Sequence, residues 1–302
     1  MALDPKITAY LEEVRQLGGA PLWETPVAEL RESTDQGADE LFGAADAVAA
    51  VSDTAARGIP LRIYRPNGDP ASPAATAIVY FHGGGWVIGS IKSHDRFCRT
   101  LAARAGVPLI AVDYRLAPEH PFPAAIEDCW AVTEWVAERY ERVAVAGDSA
   151  GGQLAASVAL RARDAGLPLA LQALIYPVTD HAFDTGSYLE FTDSASLNER
   201  QMRWFWDHYL SGDAAEPAQD HSPLRAPDVA GVAPALVITA EADPLRDEAE
   251  AYAQRLLAAG VAVELHRYEG MVHGFARMSS VIDQAGEAIT EIADAVRRAC
   301  GG

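Results

Sequence analysis

The chain has 302 residues, 49% of them hydrophobic and 22% charged, with a formal net charge of −19. That length and apolar content suit one α/β core, while so acidic a balance repels phosphate backbones and anionic headgroups, so nucleic acid and membrane surfaces are excluded as expected partners. No apolar run reaches bilayer length, the first residues lack a basic segment leading into an apolar one, and Cys98, Cys129 and Cys300 have no metal-ligand spacing; these features predict a reduced, cytoplasmic protein.

At the start of the chain Ile7, Tyr10, Leu11, Val14 and Leu17 fall at helical spacing. Thr25-Pro26 then reads as an N-cap followed by a first-turn proline. From about position 60 onward, strands alternate with helices. Strands are expected at 61–64, 76–81, 109–113, 143–146, 171–175, 236–239 and 261–267. Helices are expected at 94–105, 124–140, 150–165, 246–259 and 281–298. The alternation predicts the α/β class, with a mostly parallel sheet covered by helices on both faces. Residues 67–73 read as a turn between strands and not as a domain linker. The last expected strand is a candidate sheet edge, where a homodimer could pair. Residues 197–209 interrupt the rhythm with a helical pattern whose Met202, Phe205, Trp206 and Tyr209 share one face.

The densest chemical signal is Gly147-Asp148-Ser149-Ala150-Gly151-Gly152, between an apolar strand and a helix. A serine flanked by glycines at a strand-to-helix turn is a nucleophile elbow, which exposes the hydroxyl above a helix N-terminus. Upstream, His82-Gly83-Gly84-Gly85-Trp86 follows another apolar strand. Three consecutive glycines break regular structure and allow backbone N–H groups to approach an oxyanion. Gly83 and Gly84 are the first choice as donors, with Ala150 as another and Gly85 as a further candidate. Trp86 either lines the same pocket or packs in the core.

A serine nucleophile of this kind needs an acid and a histidine downstream, in that order. His273 lies in a glycine-flanked loop, whereas His266 sits inside an alternating strand and reads as a structural residue. Asp243 ends the preceding strand on the side where open sheets place ligands. Glu241 is its nearest rival, and Asp247 and Glu248 open the next helix, where acids favour the dipole. Asp148 and Glu119 read as buried acids that hold loops, Asp113 and Arg115 as a local pair, and His82 as a residue that fixes its own loop. His94, His120, His181, His208 and His221 match no metal spacing, so neither a metal nor an organic cofactor is expected.

The motifs His82–Gly85, Asp113-Tyr114-Arg115-Leu116-Ala117-Pro118-Glu119, Pro121–Ala125, Gly147–Gly152, Asp243-Pro244-Leu245-Arg246-Asp247 and His273-Gly274-Phe275 together resemble the hormone-sensitive-lipase family of α/β-hydrolases, the bacterial esterases with a GDSAG elbow. The resemblance runs from about position 60 to about 280. It implies an α/β-hydrolase fold with a helical cap and the activity of a serine carboxylic-ester hydrolase. The implied organisation is a cap segment at 1–45, a catalytic domain at 46–302 and an inserted cap segment at 181–220. The catalytic residues would then be Ser149, Asp243 and His273, and Phe205, Trp206 and Tyr209 would line the pocket with Trp86. Short-to-medium-chain esters are the expected substrates. An amidase or peptidase with the same triad, and a non-catalytic receptor on the same fold, are the competing readings.

Overall fold

A computed structural model describes residues 2–66, 75–192, 194, 196–211 and 218–301. The turn expected at 67–73 lies outside the described residues. Among the described residues, one eight-stranded sheet organises the fold: β1 (Ala50–Ala56), β2 (Ile59–Arg65), β3 (Thr76–Phe81), β4 (Leu109–Val112), β5 (Arg142–Asp148), β6 (Leu171–Ile175), β7 (Ala235–Ala242) and β8 (Val263–Val272). Its order is β1-β2-β4-β3-β5-β6-β7-β8. The β1–β2 and β2–β4 pairs are antiparallel and all others parallel. The central strands are short apolar runs because both of their faces are covered. In β3, Ala77, Val79 and Phe81 face one core, while Ile78 and Tyr80 face the other.

Helices α4 (Ala124–Ala137), α5 (Ala150–Asp164) and α8 (Arg246–Ala258) cover the first face. Helices α3 (Asp95–Ala105) and α9 (Asp283–Ala299) cover the second. Cys98 of α3 and Cys129 of α4 are fully buried apolar packing, as expected. The remaining helices are α1 (Pro5–Leu17), α2 (Val27–Phe42), α6 (Gly186–Glu190) and α7 (Glu199–Leu210). Asn198 and Gln201 start α7 with a reciprocal capping box.

Three elements differ from the sequence expectations. Strand β1 was not anticipated, because Ala50–Ala56 is largely exposed and shows no apolar alternation. It pairs with β2 through a tight hairpin whose Arg57 and Gly58 both have positive φ, 52° and 85°. Pro26, not Thr25, occupies the N-cap of α2; Thr25 instead closes a 3-10 turn over Leu22–Glu24 by donating its N–H to the Leu22 carbonyl. Strand β8 runs five residues past its expected end at 267, because between the pairs Ala240–Tyr268 and Ala242–Val272 it bulges, three of its residues opposing one of β7, before pairing resumes at Val272. As expected, β8 forms one edge of the sheet.

Candidate active site

Strand β5 delivers Ser149 to the turn before α5 in a strained conformation, φ 55° and ψ −119°. Holding a non-glycine residue there costs on the order of 1–3 kcal/mol and needs close support. The Ser149 N–H donates to the Ile175 carbonyl of β6 at 2.9 Å. The residues two places to either side must lack side chains: a Cβ on Gly147 would lie 2.2 Å from the Gly151 carbonyl oxygen, and one on Gly151 would lie 2.0 Å from that of Phe81. The glycines of the motif are therefore set by backbone packing between β3, β5 and α5.

His273 follows β8 directly and reaches back across the end of the sheet. Its Nε2 lies 2.9 Å from Ser149 Oγ and its Nδ1 2.7 Å from Asp243 Oδ2. With Asp243 as the acceptor, the proton on neutral His273 sits on Nδ1, which leaves Nε2 free to accept from the serine. Asp243 is 1% exposed, and its other oxygen accepts the Leu245 N–H at 2.9 Å. Glu241 is occupied elsewhere: its carboxylate accepts the Gly270 N–H at 2.7 Å and so anchors β8. His266, on the edge strand β8, contacts Glu291 of α9 instead. The Tyr176 ring packs 4.9 Å from the His273 imidazole, and Tyr176 itself has a positive φ of 36°. Ser196 Oγ donates to the His273 carbonyl at 3.0 Å.

The glycine loop differs from expectation at one residue. The Gly83 N–H donates to Asp148 Oδ1 at 2.8 Å, so it is spent on holding the loop and is unavailable to an oxyanion. The N–H groups of Gly84, Gly85 and Ala150 have no such acceptor among the described residues. Gly84 and Gly85 adopt φ values of 119° and 57°. A Cβ on Gly84 would meet the Ile88 carbonyl oxygen at 2.1 Å, and one on Gly85 would meet the Phe205 ring at 2.1 Å.

Asp148 is a hub beneath this loop. It is 2% exposed and also accepts from Tyr80 Oη at 2.7 Å, with His94 Nε2 at 3.3 Å. Burial opposes its charge, but His94, Arg277 and Tyr80 outweigh that and hold the carboxyl below the usual carboxylate range. Burial, and then His94, push the neighbouring His82 imidazole down to about 3. His82 Nδ1 lies 2.8 Å from its own loop's Gly83 carbonyl, and its ring stacks on Tyr114 at 4.3 Å. It thus holds the loop, in line with the sequence reading.

Two smaller expectations fail. Arg115 does not pair with Asp113; its guanidinium forks onto Asp128 of α4, at 2.7 Å for the Nη2–Oδ1 contact. Glu119 is exposed and pairs with Arg31 of α2 at 2.7 Å. The aromatic residues separate by environment. Trp86 stacks on Tyr209 at 4.3 Å and donates Nε1–H to Gln153 at 2.9 Å, and Trp206 lies 4.5 Å from Trp86. These three are at most 1% exposed and pack as core, whereas Phe205 lies directly over Gly85. Tyr80, His94, Tyr176, Ser196 and Arg31 carry no sequence signal for these contacts. Each acts through a partner distant in sequence, and no local pattern marks such a pair. Among the described residues no group of three metal-capable side chains converges, and no helix is long and apolar enough to cross a membrane.

A doubly covered, mostly parallel sheet with a serine–histidine–aspartate chain at the ends of its strands defines an α/β hydrolase. Comparison with known proteins agrees. Residues 78–277 match a family model described as the α/β hydrolase fold. The chain is 37% identical to an ethyl acetate hydrolase of Pseudomonas putida, over 99% of both chains. It is 41% identical to the carboxylesterase NlhH of Mycobacterium tuberculosis, over 80% of this chain and 78% of that one. Among solved structures, a hyperthermophilic esterase from the archaeon Pyrobaculum calidifontis superposes with a TM-score of 0.90 at 38% identity, covering 99% of each chain. The chain belongs to the hormone-sensitive-lipase-like family of α/β hydrolases and is a serine carboxylesterase.

Proposed function

We propose that Ser149 is the nucleophile, His273 the general base and acid, and Asp243 the group that orients His273, with the Gly84, Gly85 and Ala150 N–H groups as the oxyanion hole. The observation that carries this reading is the continuous chain Ser149 Oγ–His273 Nε2 and His273 Nδ1–Asp243, at 2.9 and 2.7 Å. As Oγ attacks the ester carbonyl carbon, Nε2 takes its proton and Asp243 stabilises the imidazolium. The tetrahedral oxyanion forms between the α5 N-terminus and the glycine turn, where each donor contributes about 3 kcal/mol. His273 then protonates the departing alkoxide, leaving an acyl-serine. Water, deprotonated by the same imidazole, attacks that ester, and His273 returns the proton to Ser149 as the acid leaves.

Residues 1–45 and 181–220 are read as a cap over this site. In support, α7 of the second segment presses Phe205 onto Gly85, and Arg200 lies 3.7 Å over the Trp23 ring of the first. An aromatic wall so close to the reacting centre favours short-to-medium acyl chains, and the relative named for ethyl acetate points the same way. A cytoplasmic enzyme, with a homodimer paired through the β8 edge, completes the reading. The test is hydrolysis of p-nitrophenyl esters from acetate to palmitate, with Ser149→Ala alongside. Turnover that peaks at short chains and vanishes in the variant is the expected result. A peak at palmitate overturns the small pocket, and an active Ser149→Ala overturns the nucleophile. Light scattering on the purified protein tests the dimer, which a monomer at micromolar concentration would refute.

A further inference from the structure

Helix α2 grips the glycine loop with two side chains one helical turn apart. Arg31 donates from Nε to the Val87 carbonyl at 2.8 Å and from Nη2 to the Ala117 carbonyl at 2.9 Å. Its fork also closes on Glu119, at 2.9 and 2.7 Å. Asp35 accepts from Ser90 Oγ at 2.6 Å. A spacing of four places both residues on one face of α2.

The groups that Arg31 holds belong to the turn that carries the proposed oxyanion donors. The N–H groups of Val87 and Ile88 donate to the Gly84 carbonyl at 3.1 and 2.9 Å, and the Ala117 N–H donates to the Trp86 carbonyl at 2.9 Å. Asp148 therefore fixes the inner end of the loop at Gly83, and Arg31 fixes the outer end at Val87. Between them, Gly84 and Gly85 have no side chains with which to hold themselves, so the direction of their N–H groups depends on these anchors together with Trp86, which Gln153 and Tyr209 hold from the core side. A rigid guanidinium fork can bridge two carbonyls and a carboxylate at once; an ammonium at the end of a flexible stem cannot.

We propose that Arg31 is a positioning residue for the oxyanion hole, so that the N-terminal segment acts on the chemical step as well as covering the site. This inference rests on the assignment of Gly84 and Gly85 as donors. Those donors act chiefly when charge develops on the carbonyl oxygen, so loosening them lowers kcat and leaves KM in place.

The experiment compares kcat and KM for p-nitrophenyl butyrate, and inhibition by a trifluoromethyl ketone analogue, in wild type, Arg31→Ala, Arg31→Lys and Asp39→Ala. Asp39 also lies on α2, but its partner is Arg96 of α3 at 2.8 Å, away from the glycine loop. Its loss therefore weakens the attachment of α2 without touching the loop. Arg31→Ala is expected to lower kcat about 10- to 100-fold, the scale of a misplacement near 1 Å, and to weaken the ketone by a similar factor. KM should stay within about twofold, Arg31→Lys should recover little, and Asp39→Ala should keep the wild-type kcat. A folded Arg31→Ala with wild-type kcat overturns the proposal, as does a loss of kcat that follows the fall in Tm equally in the Arg31 and Asp39 variants. Should Arg31→Ala fail to fold, Arg31→Lys carries the same comparison. If the wild type binds the trifluoromethyl ketone no better than the matching methyl ketone, the oxyanion assignment itself fails. Tight binding that is equal in wild type and Arg31→Ala overturns only the positioning role.

Discussion

Replacing Asp243 by asparagine isolates one proton. The two oxygens of Asp243 have different partners, the Leu245 N–H at 2.9 Å and His273 Nδ1 at 2.7 Å, and the residue is 1% exposed. Asparagine keeps one oxygen. The backbone N–H cannot invert, and facing it with the amide NH2 would leave a buried donor unsatisfied at a cost of about 1–3 kcal/mol. The amide therefore turns its oxygen to Leu245 and its NH2 to His273. That orientation makes Nδ1 the acceptor and puts the imidazole proton on Nε2, which then cannot take a proton from Ser149. The wrong tautomer lowers kcat by about 10⁴, or roughly 5.5 kcal/mol of transition-state stabilisation, while the fold stays intact. The assay is kcat for p-nitrophenyl butyrate in Asp243→Asn and Glu241→Gln, with thermal unfolding of both. Glu241→Gln keeps an acceptor for Gly270 and should retain wild-type kcat. Folded Asp243→Asn within tenfold of wild type, or an equal loss in Glu241→Gln, would refute the assignment.

Gly85→Ala sets a methyl 2.1 Å from the Phe205 ring at a φ of 57°, so it should lower kcat at least tenfold, given about 1–3 kcal/mol of overpacking. Gly85→Ala/Phe205→Ala should recover part of that loss, and strictly additive effects in the cycle would show that the two positions do not meet. Acid should destabilise the fold through His82. Its imidazole titrates at about 3 when folded, against roughly 6.5 when unfolded, so the unfolded chain binds the extra proton between those values. Stability is complete above that window and falls as pH drops through it, by up to about 1.4 kcal/mol per pH unit from this residue. Urea unfolding at pH 7, 6 and 5 should show a shallower loss in His82→Gln than in wild type, and parallel losses would contradict the burial argument.

Much of the site was legible because its chemistry is local in sequence. Ser149 is announced by glycines that packing requires on either side, and His273 by its own glycine-flanked segment. The choice among the three loop glycines was not legible. In the proposed oxyanion hole it turns on Asp148, which takes the Gly83 N–H and lies in a different motif. Arg31 is hidden for the same reason: on α2 it reads as one more surface charge, and only the folded chain brings Val87 and Ala117 to it. Strand β1 escapes because a largely exposed hairpin strand of Ala, Val, Ser, Asp and Thr has no periodic apolar signal. Parallel strands buried on both faces are, by contrast, continuous apolar runs, and β3 to β7 were each read from the sequence.

His273 hangs on the end of β8, the last strand of the chain and one edge of the sheet, whereas Ser149 sits on β5 deep in its middle. From Val263 to Glu269 this edge strand leaves several residues open to solvent and belongs to the least protected part of such a fold, whereas Gly270–Val272, next to His273, are buried and tied to Asp4 and Glu241. In a monomer, fraying that passes this anchor takes away His273, the proposed base, while the hydrophobic interior is still assembled. On heating or in mild denaturant, activity should disappear before far-ultraviolet ellipticity does, and cooling should restore it without the need to refold the core.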